Sequence, residues 1–295
     1  MRTVLITGAS TGIGRATALR LAAAGWTVLA GVRDEDAGRR LRADHAAVTG
    51  GGNGRPPGHG EVTPLPLDVT DAAQIAAAAR AVAEGSLAGA PPGGLDALVN
   101  NAGIGVGGPL ELVSPEDLRA QFEVNVFGQV AVTRALLGAL RAARGRIVFV
   151  SSIGGRVAVP FNGPYAASKH ALEALADALR GELHSSRVRV SLIEPGSVKT
   201  PIWGKARATV GDLQIPPELA QEYGRVPAAF AKVLRDTERR GVAPEQVAAT
   251  IERTLTARRP RARYLVGPDA RGMALAHALL PTTVFDRVLR RVLAI

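Results

Sequence analysis

Short apolar, β-branched runs alternate with longer segments of helical periodicity through most of the chain. Seven runs are indicated as strands, at residues 3–7, 27–32, 62–67, 95–99, 146–152, 188–193 and 263–266. Runs of this length bounded by turn residues are typical of buried strands. Alternating strands and helices predict an α/β fold, a doubly wound parallel sheet of about seven strands with right-handed crossovers.

Capping signals indicate where several helices begin. Asp34, Asp71 and the pair Ser114-Pro115 precede helical patterns and suit N-cap or first-turn positions. The helix that starts near residue 114 is predicted to run to about residue 141, with Asn125 inside an apolar stretch. Because a buried amide needs hydrogen-bond partners, Asn125 is either a satisfied structural residue or part of a site.

Two segments rich in glycine and proline, residues 49–60 and 85–94, interrupt this pattern. Glycine is entropically costly in regular structure and proline lacks a donor, so residues 49–60 are expected to form a flexible surface insertion. Residues 85–94 are expected to be a second loose segment. We interpret residues 1–267 as one domain and residues 268–295 as a C-terminal helical extension.

The extension shows two helical patterns separated by Pro281. Apolar residues recur at helical spacing at Met273, Leu275, Ala276, Leu279, Leu280, Val284, Phe285, Val288, Leu289, Val292 and Leu293. Since proline interrupts a helix, two short helices are predicted. The second also carries Arg287, Arg290 and Arg291, so peripheral contact with an anionic membrane is one interpretation. We favour packing of the apolar stripe on the body of the protein, because the stripe is short for an anchor.

Composition narrows the function classes. The 295-residue chain has no cysteine, which excludes disulfides and thiolate metal sites, and its histidines lack metal-ligand spacing. No signal peptide or membrane-spanning run is recognised, so a cytoplasmic protein is expected. The net charge is +10, yet residues 225–295 hold 14 Arg or Lys against 6 acidic residues, with few aromatics between them. This pattern favours solvated helix faces over a nucleic-acid site, with an acidic ligand or membrane surface as the minority interpretation.

The first predicted strand runs directly into a glycine-rich loop, Gly8-Ala-Ser-Thr-Gly12-Ile-Gly14, which an Ala- and Leu-rich helix follows. This order is the context of a dinucleotide site. Glycines let the backbone approach a pyrophosphate, and the helix N-terminus offers free N–H groups. The spacing departs from G-x-G-x-x-G, and a plain structural turn is the alternative.

The end of the second strand usually selects between the two nicotinamide cofactors. An acidic side chain there would bind the ribose hydroxyls and repel a 2′-phosphate, but this chain has Val32 followed by Arg33. A guanidinium suits a phosphate, and Ser10 could donate a further hydrogen bond, so NADP(H) is expected. The alternative is an exposed arginine at a helix start. Asp68, just past the third strand, could contact the adenine.

Tyr165 and Lys169 are four residues apart, which places them on one helix face. A nearby ammonium favours the phenolate and lowers the pKa of a tyrosine from about 10 toward neutrality. Ser152 ends an apolar strand, at the sheet edge where parallel α/β sheets place their chemistry. An exposed helical pair is the competing interpretation of Tyr-x-x-x-Lys taken alone.

In chain order these features resemble the short-chain dehydrogenase/reductase family over roughly residues 1–200. The matching positions are residues 7–14, Asp68, Asn100-Asn-Ala-Gly103, Asn125, Ser152, the Tyr165 and Lys169 pair and Pro195-Gly196. Tyr165 follows Ser152 by 13 residues, a separation typical of that family. The sequence around the active site is similar to the subgroup of 17β-hydroxysteroid and retinol dehydrogenases.

The resemblance implies a Rossmann-type fold and a role for each polar residue. Tyr165 would exchange a proton with the substrate oxygen, and Ser152 would stabilise the charge that develops there. Lys169 would lower the pKa of Tyr165 and hold the nicotinamide ribose, and Asn125 would help to order a water between Lys169 and solvent. The expected cofactor site comprises Gly8, Ser10, Thr11, Gly12, Ile13, Gly14, Arg33, Asp68, Val69, Asn101, Ala102, Gly103, Tyr165, Lys169, Pro195, Gly196, Val198 and Thr200.

The function that follows is an NADP(H)-dependent oxidoreductase that interconverts a carbonyl and an alcohol. The subgroup resemblance implies a hydrophobic substrate, steroid-, retinoid- or lipid-like, bound mostly by residues 202–226. The alternative keeps the fold and loses the chemistry, as in a non-catalytic NADP(H)-sensing regulator. By analogy with the family, a homodimer or homotetramer is possible.

Overall fold

The computed structural model describes residues 2–49, 60–85, 94–201 and 215–293. In this part of the chain, one sheet contains β1 (Arg2–Ile6), β2 (Trp26–Val32), β3 (Val62–Pro66), β4 (Ala97–Asn100), β5 (Arg146–Val150), β6 (Arg189–Pro195) and β7 (Arg263–Val266). The spatial order is β3-β2-β1-β4-β5-β6-β7, and every neighbouring pair is parallel. The predicted doubly wound, Rossmann-type sheet is confirmed.

Helices connect the strands and cover both faces of the sheet. They are α1 (Gly12–Ala23), α2 (Glu35–Thr49), α3 (Ala72–Glu84), α4 (Pro115–Phe122), α5 (Gln129–Ala142), α6 (Gly163–Glu182), α7 (Ala220–Tyr223), α8 (Val226–Arg240), α9 (Pro244–Thr256), α10 (Pro268–Leu279) and α11 (Thr282–Leu293). Within the described ranges, 3₁₀ turns lie at Leu110–Leu112, Ile153–Gly155 and Pro217–Leu219.

Two apolar layers hold the sheet between the helices. One layer packs α1 and α9 on one face, through residues such as Leu21 and Ile251, and the other packs α3, α5 and α6 on the opposite face. Successive residues of a strand point to opposite faces, so Val4 and Leu5 belong to different layers. Because both faces are covered, the strands are nearly continuous apolar runs, which is why they are recognisable in the sequence.

The capping predictions are confirmed. Asp34 accepts a hydrogen bond from the backbone N–H of Ala37 at 2.6 Å, and Asp71 caps α3. Ser114 accepts from the N–H of Asp117 at 3.0 Å, ahead of a helix that starts at Pro115. Each cap satisfies N–H groups that the first helical turn leaves without a partner.

The helix predicted from about residue 114 to about residue 141 spans residues 115–142, but it is not α-helical throughout. A π-helical segment, Glu123–Gly128, joins α4 to α5. Within it the Asn125 side chain points inward and hydrogen-bonds to Ile104. Gly128 lies against the loop after β3, where a Cβ on this glycine would be 2.6 Å from the carbonyl oxygen of Val69. The wider turn accommodates both inward contacts, as π segments at functional sites often do.

The boundaries of the two loose segments also need correction. α2 continues through Thr49, and Gly60 is buried, where a Cβ would be 1.8 Å from the carbonyl oxygen of Trp26. Gly85 forms the left-handed C-cap of α3, with φ 64°. The remaining parts of these segments, 50–59 and 86–93, lie outside the described residues.

The C-terminal extension forms the two helices that were predicted, α10 and α11, separated by Pro281. Ala270 and Phe285 are buried, and Phe285 meets the ring of His277 edge-on at 5.3 Å. Three residues of the apolar stripe, Leu275, Leu279 and Val288, are exposed by 60%, 71% and 45% in the single chain, so these three do not pack on its own body. None of the helices in the described ranges is long and apolar enough to cross a bilayer.

Candidate active site

The glycine loop lies at the carboxyl end of β1, where the strand order reverses between β1 and β4 and a crevice opens. Gly8 and Gly12 have positive φ values of 65° and 55°, which favour glycine. At Gly14 a Cβ would lie 2.2 Å from the carbonyl oxygen of Gly8. The loop is therefore folded tightly on itself directly before α1, and the N-terminus of a helix is a favourable place for an anion.

A hydrogen-bond bridge behind this loop joins β1 to β4. The Thr7 hydroxyl accepts from the backbone N–H groups of Asn101 and Ala102 at 2.9 and 3.0 Å. The Asn101 amide donates to the carbonyl oxygens of Thr7 and Gly8 at 3.0 and 3.1 Å. Asn101, predicted to bind cofactor, thus has its side chain committed to holding the glycine loop.

The predicted cofactor-selecting position is the buried Val32 at the end of β2. Arg33 follows it at the surface and forms no ion pair or hydrogen bond with the residues that the structure describes. Ser10 is partly exposed in the glycine loop. Asp68 lies past β3, where one carboxylate oxygen accepts from both the N–H and the hydroxyl of Thr70. Arg33 therefore has no ion-pair partner among the described residues, and the strand end carries Val32 where an acidic side chain would repel a phosphate. Both features suit a ligand that bears a phosphate.

Asn125 lies in the π segment and reaches across to the chain after β4. Its amide oxygen accepts from the N–H of Ile104 at 2.9 Å, and its amide nitrogen donates to the Ile104 carbonyl at 3.0 Å and to the Ser168 hydroxyl at 3.1 Å. A Cβ on Gly103 would be 3.3 Å from the Asn125 amide oxygen and 3.8 Å from Lys169 Nζ. Asn125 therefore ties α6 to the strand end beside Lys169.

Ser152, Tyr165 and Lys169 come together around the carboxyl end of β5. Ser152 caps the 3₁₀ turn by accepting from the N–H of Gly154 at 3.0 Å. A Cβ on Gly154 would lie 3.4 Å from Ser152 Oγ and 3.2 Å from Tyr165 Cε1, so both side chains border the same glycine. Lys169 is 4% exposed and donates to the carbonyl oxygen of Val150 at 2.9 Å.

The expected effect of Lys169 on Tyr165 is not what the structure gives. Burial raises the pKa of the Tyr165 phenol, and hydrogen bonding to Ser152 opposes this rise. Burial also lowers the pKa of Lys169 to about 8, against the opposing charge of Glu173. Lys169 Nζ lies 5.8 Å from the Tyr165 ring centroid and bonds to Val150 instead. The prediction of a lowered Tyr165 pKa is therefore corrected: in this arrangement the phenol is protonated at neutral pH.

The end of β6 supplies the other side of the crevice. Asp269, in the first turn of α10, accepts from the N–H of Ser197 at 2.6 Å. It lies so close that a Cβ on Gly196 would be 2.3 Å from its carboxylate. A Cβ on Gly12 would be 3.1 Å from Thr200 Cγ2, so the methyl group of Thr200 lies against the glycine loop. Val198 is buried and forms a β-bridge with Val242.

Aromatic and apolar groups border the outer part of the site. A Cβ on Gly107 would lie 2.8 Å from the Cζ atom of Phe230, and Gly108 donates its N–H to the Phe161 carbonyl at 2.7 Å. Tyr223 donates its hydroxyl to Glu111 at 3.0 Å. In the predicted substrate segment, residues 202–214 lie outside the described residues. Residues 217–223 form a 3₁₀ turn and α7, which approach the chain after β4 through Tyr223.

Several contributors escaped prediction from the sequence. Gln121 donates to the Ile104 carbonyl and accepts from Val106, and Gln129 donates to the Ala102 carbonyl at 2.7 Å. Glutamine in an amphipathic helix gives no signal that separates such contacts from a solvated face. Thr7, at a strand end directly before a glycine loop, had a positional signal that could have identified it.

Comparison with known proteins agrees with this geometry. The family model of short chain dehydrogenases matches residues 2–211. The chain is 34% identical to the NADPH-dependent 3-dehydrocapnine reductase of Ornithobacterium rhinotracheale, over 98% of this chain and 96% of that protein. It is 36% identical to human retinol dehydrogenase 16, over 97% of this chain and 87% of that protein. A short chain dehydrogenase structure from Burkholderia cenocepacia in complex with NADP aligns with a TM-score of 0.69 at 26% identity, covering 98% of this chain and 99% of that one. The chain therefore belongs to the short chain dehydrogenase family.

Proposed function

We propose that this protein is an NADP(H)-dependent oxidoreductase that interconverts a carbonyl and an alcohol, with Tyr165 as the proton donor. The observation that carries the proposal is the meeting of Ser152 and Tyr165 at Gly154, with Lys169 buried beside them at the same sheet edge as the glycine loop. Family membership and an NADPH-dependent relative of nearly the same length support the cofactor and the reaction class.

The residues present fit a bound NADP(H). A Cβ on Gly8, Gly12 or Gly14 would meet Ala102, Thr200 or the Gly8 carbonyl oxygen, so these glycines keep the loop compact at the start of α1, where a pyrophosphate would lie. Arg33 would hold the 2′-phosphate, since it is exposed and unpaired among the described residues and no acid competes at Val32. When bound, the cofactor supplies the hydride of the reaction.

The proton chemistry follows from the state of the phenol. With its pKa raised by burial, Tyr165 holds its proton at neutral pH and can donate it to a carbonyl oxygen. Ser152 accepts from the N–H of Gly154 at 3.0 Å, while its own hydroxyl lies 3.5 Å from the Pro195 carbonyl oxygen and hydrogen-bonds to Tyr165. When a carbonyl substrate binds, this hydroxyl would donate to the substrate oxygen instead and stabilise the negative charge that develops there. Lys169 would then offset the phenolate left after transfer, because its ammonium nitrogen lies 5.8 Å from the centre of the Tyr165 ring. This arrangement favours the reductive direction.

The substrate class we propose is a hydrophobic carbonyl compound, of a steroid-, retinoid- or lipid-like kind. Phe230 covers Gly107 near the mouth, and the buried Val106 and Val157 lie beside the catalytic loops. Such walls offer apolar contact and few hydrogen bonds, which suits a large apolar substrate. The similarity to retinol dehydrogenase 16 supports the same class.

The test is NADPH consumption by the purified protein with a panel of aldehydes and ketones that includes short polar, long-chain, retinoid and steroid carbonyls. Turnover with the apolar members, absent in Tyr165→Phe, is the expected result. Consumption confined to small polar carbonyls would overturn the substrate class. Tight NADPH binding without turnover on any member would favour the non-catalytic regulator instead.

A cytoplasmic location and a homodimer or homotetramer belong to the same proposal. Phe127, in the π segment, is 57% exposed and Leu175, on α6, is 42% exposed, which is the kind of surface that pairs long helices. Light scattering of the wild type and of Phe127→Lys tests the assembly: a shift toward monomer in the variant is expected, and a monomeric wild type would contradict it.

A further inference from the structure

A cluster of charged side chains around two buried glutamates lies behind the catalytic residues. Arg156 Nε is 2.9 Å from a carboxylate oxygen of Glu194, and Arg263 Nε is 3.2 Å from the other oxygen. Arg263 also pairs with Glu173 at 3.0 Å and with Asp177 at 2.6 Å. The Glu194 side chain is 0% exposed and that of Glu173 is 9% exposed. Two arginines thus join two buried glutamates into one network.

Each member sits next to a different part of the active site. Arg156 follows the 3₁₀ turn that Ser152 caps, and Glu173 lies one helical turn beyond Lys169 on α6. Glu194 immediately precedes Pro195 at the end of β6, and Arg263 starts β7. The network therefore connects the segments that carry the oxyanion donor, the lysine and the turn beside the expected cofactor.

The energetics argue against stability as the reason for this cluster. Burial and repulsion from Glu173 raise the pKa of Glu194 to about 7, and Arg156 and Arg263 oppose the rise. Buried ion networks are often no more stabilising than apolar residues of similar volume. What they do provide is a fixed spacing, because each charge is satisfied only when its partners are in place.

We propose that Glu194 and Glu173, through Arg156 and Arg263, are positioning residues that set the spacing between Ser152, Lys169 and the Pro195–Gly196 turn. The proposal rests on the proposed oxidoreductase function and adds to it. Losing one partner lets one segment move while the fold stays intact. Misplacement of catalytic groups by about 1 Å can cost about 10²-fold in rate.

The experiment is a double-mutant cycle with Glu194→Gln, Arg156→Gln and the double variant, each assayed well below its Tm. We expect each single variant to lower kcat by about 10- to 100-fold with little change in the KM of the carbonyl. The double variant is expected to be no worse than the poorer single one, because both changes break the same contact. Losses that multiply in the double variant, or folded variants with wild-type kcat, would overturn the proposal.

A matched control is Glu252→Gln, which removes the 2.6 Å pair with Arg20 between α9 and α1, away from the site. It should lower stability without changing kcat. If Glu194→Gln does not fold, a cycle of Glu173→Gln with Arg263→Gln, which pair at 3.0 Å, takes its place.

NADPH affinity, measured by fluorescence, separates this proposal from the proposed function. If the wild type binds NADPH but turns over no carbonyl, the function fails. The network is then still supported if Glu194→Gln and Arg156→Gln weaken NADPH binding and Glu252→Gln does not. In that case, equal NADPH affinity in all four proteins would overturn the positioning role.

Discussion

The Lys169→Met variant should be more stable than the wild type at neutral pH, and this difference in the free energy of unfolding should shrink as the pH rises. Lys169 is 4% exposed, and burial lowers its pKa from 10.5 to about 8. Between these two values the unfolded chain binds a proton that the folded protein does not, so the stability of the wild type rises with pH across that window. Below about pH 8 Lys169 is protonated in the folded wild type, and burying its ammonium lowers the free energy of unfolding by the full amount.

The magnitude follows from the shift. A change of one pKa unit corresponds to about 1.4 kcal/mol, so the shift of Lys169 corresponds to roughly 3 kcal/mol of unfavourable free energy at pH 7. By pH 10 most of this cost has gone, because the unfolded lysine is itself losing its proton. The free energy of unfolding of Lys169→Met minus that of the wild type should therefore fall by roughly 2–3 kcal/mol between pH 7 and pH 10.

Urea unfolding of both proteins without added cofactor, at several pH values in that range, measures this difference. Comparing two proteins at each pH cancels the titration of all other groups. Lys199→Met, which removes an exposed lysine near the same sheet edge, is the matched control and should show a constant difference. A pH-independent difference for Lys169→Met would refute the argument that the buried environment disfavours the ammonium.

Further predictions concern the chemistry and the surface. Tyr165→Phe should lower kcat by about 10²–10⁴-fold with NADPH affinity unchanged, and retention of more than about a tenth of activity would contradict its role. Arg33→Ala should weaken NADPH binding by roughly 1.5–3 kcal/mol and leave NADH binding almost unchanged. Val32→Asp should shift the cofactor preference toward NADH, and equal affinity of the wild type for both cofactors would argue against this reasoning. Gly14→Ala should abolish NADPH binding in calorimetry, because its Cβ would collide with the Gly8 carbonyl oxygen at 2.2 Å. Deletion of residues 281–295 should reduce solubility or substrate affinity and leave NADPH binding measurable. If the intact protein pelleted with anionic vesicles at low salt and the truncated protein did not, membrane contact would be favoured instead.

Most of the fold could be predicted because its signals are local. The strands are apolar runs bounded by turns, and caps such as Ser114 and Asp71 act within one helical turn. The π segment could not be predicted, because its cause is tertiary: Asn125 bonds to Ile104, and Gly128 lies against Val69. No periodicity in the local sequence records either contact.

The candidate site shows the same division. Gly8, Gly12 and Gly14 were identifiable because a backbone requirement dictates the residue type. The state of Tyr165 was predicted wrongly, since spacing shows that Lys169 shares its helix face but not that Val150 holds the ammonium. The charged network around Glu194 was also missed, because a single acid before a proline gives no indication of its two arginine partners on other segments.

The π segment between α4 and α5 changes the rotational phase of the two helices. Each residue of a regular α-helix rotates the chain by about 100° around the helix axis. The wider π turn changes this rotation, so the side of α5 that packs on the sheet does not have to line up with the side of α4 that contacts the loop after β4. Val132 and Leu136 can then pack on the sheet while Gln121 holds Val106 and Ile104. Deleting one residue between 123 and 128 would restore a regular helix and force these two sets of contacts out of register. The helical content of such a variant would be unchanged, but either the packing of α5 on the sheet or the contacts of Gln121 would be lost. Circular dichroism would therefore not detect the defect, whereas an activity assay would.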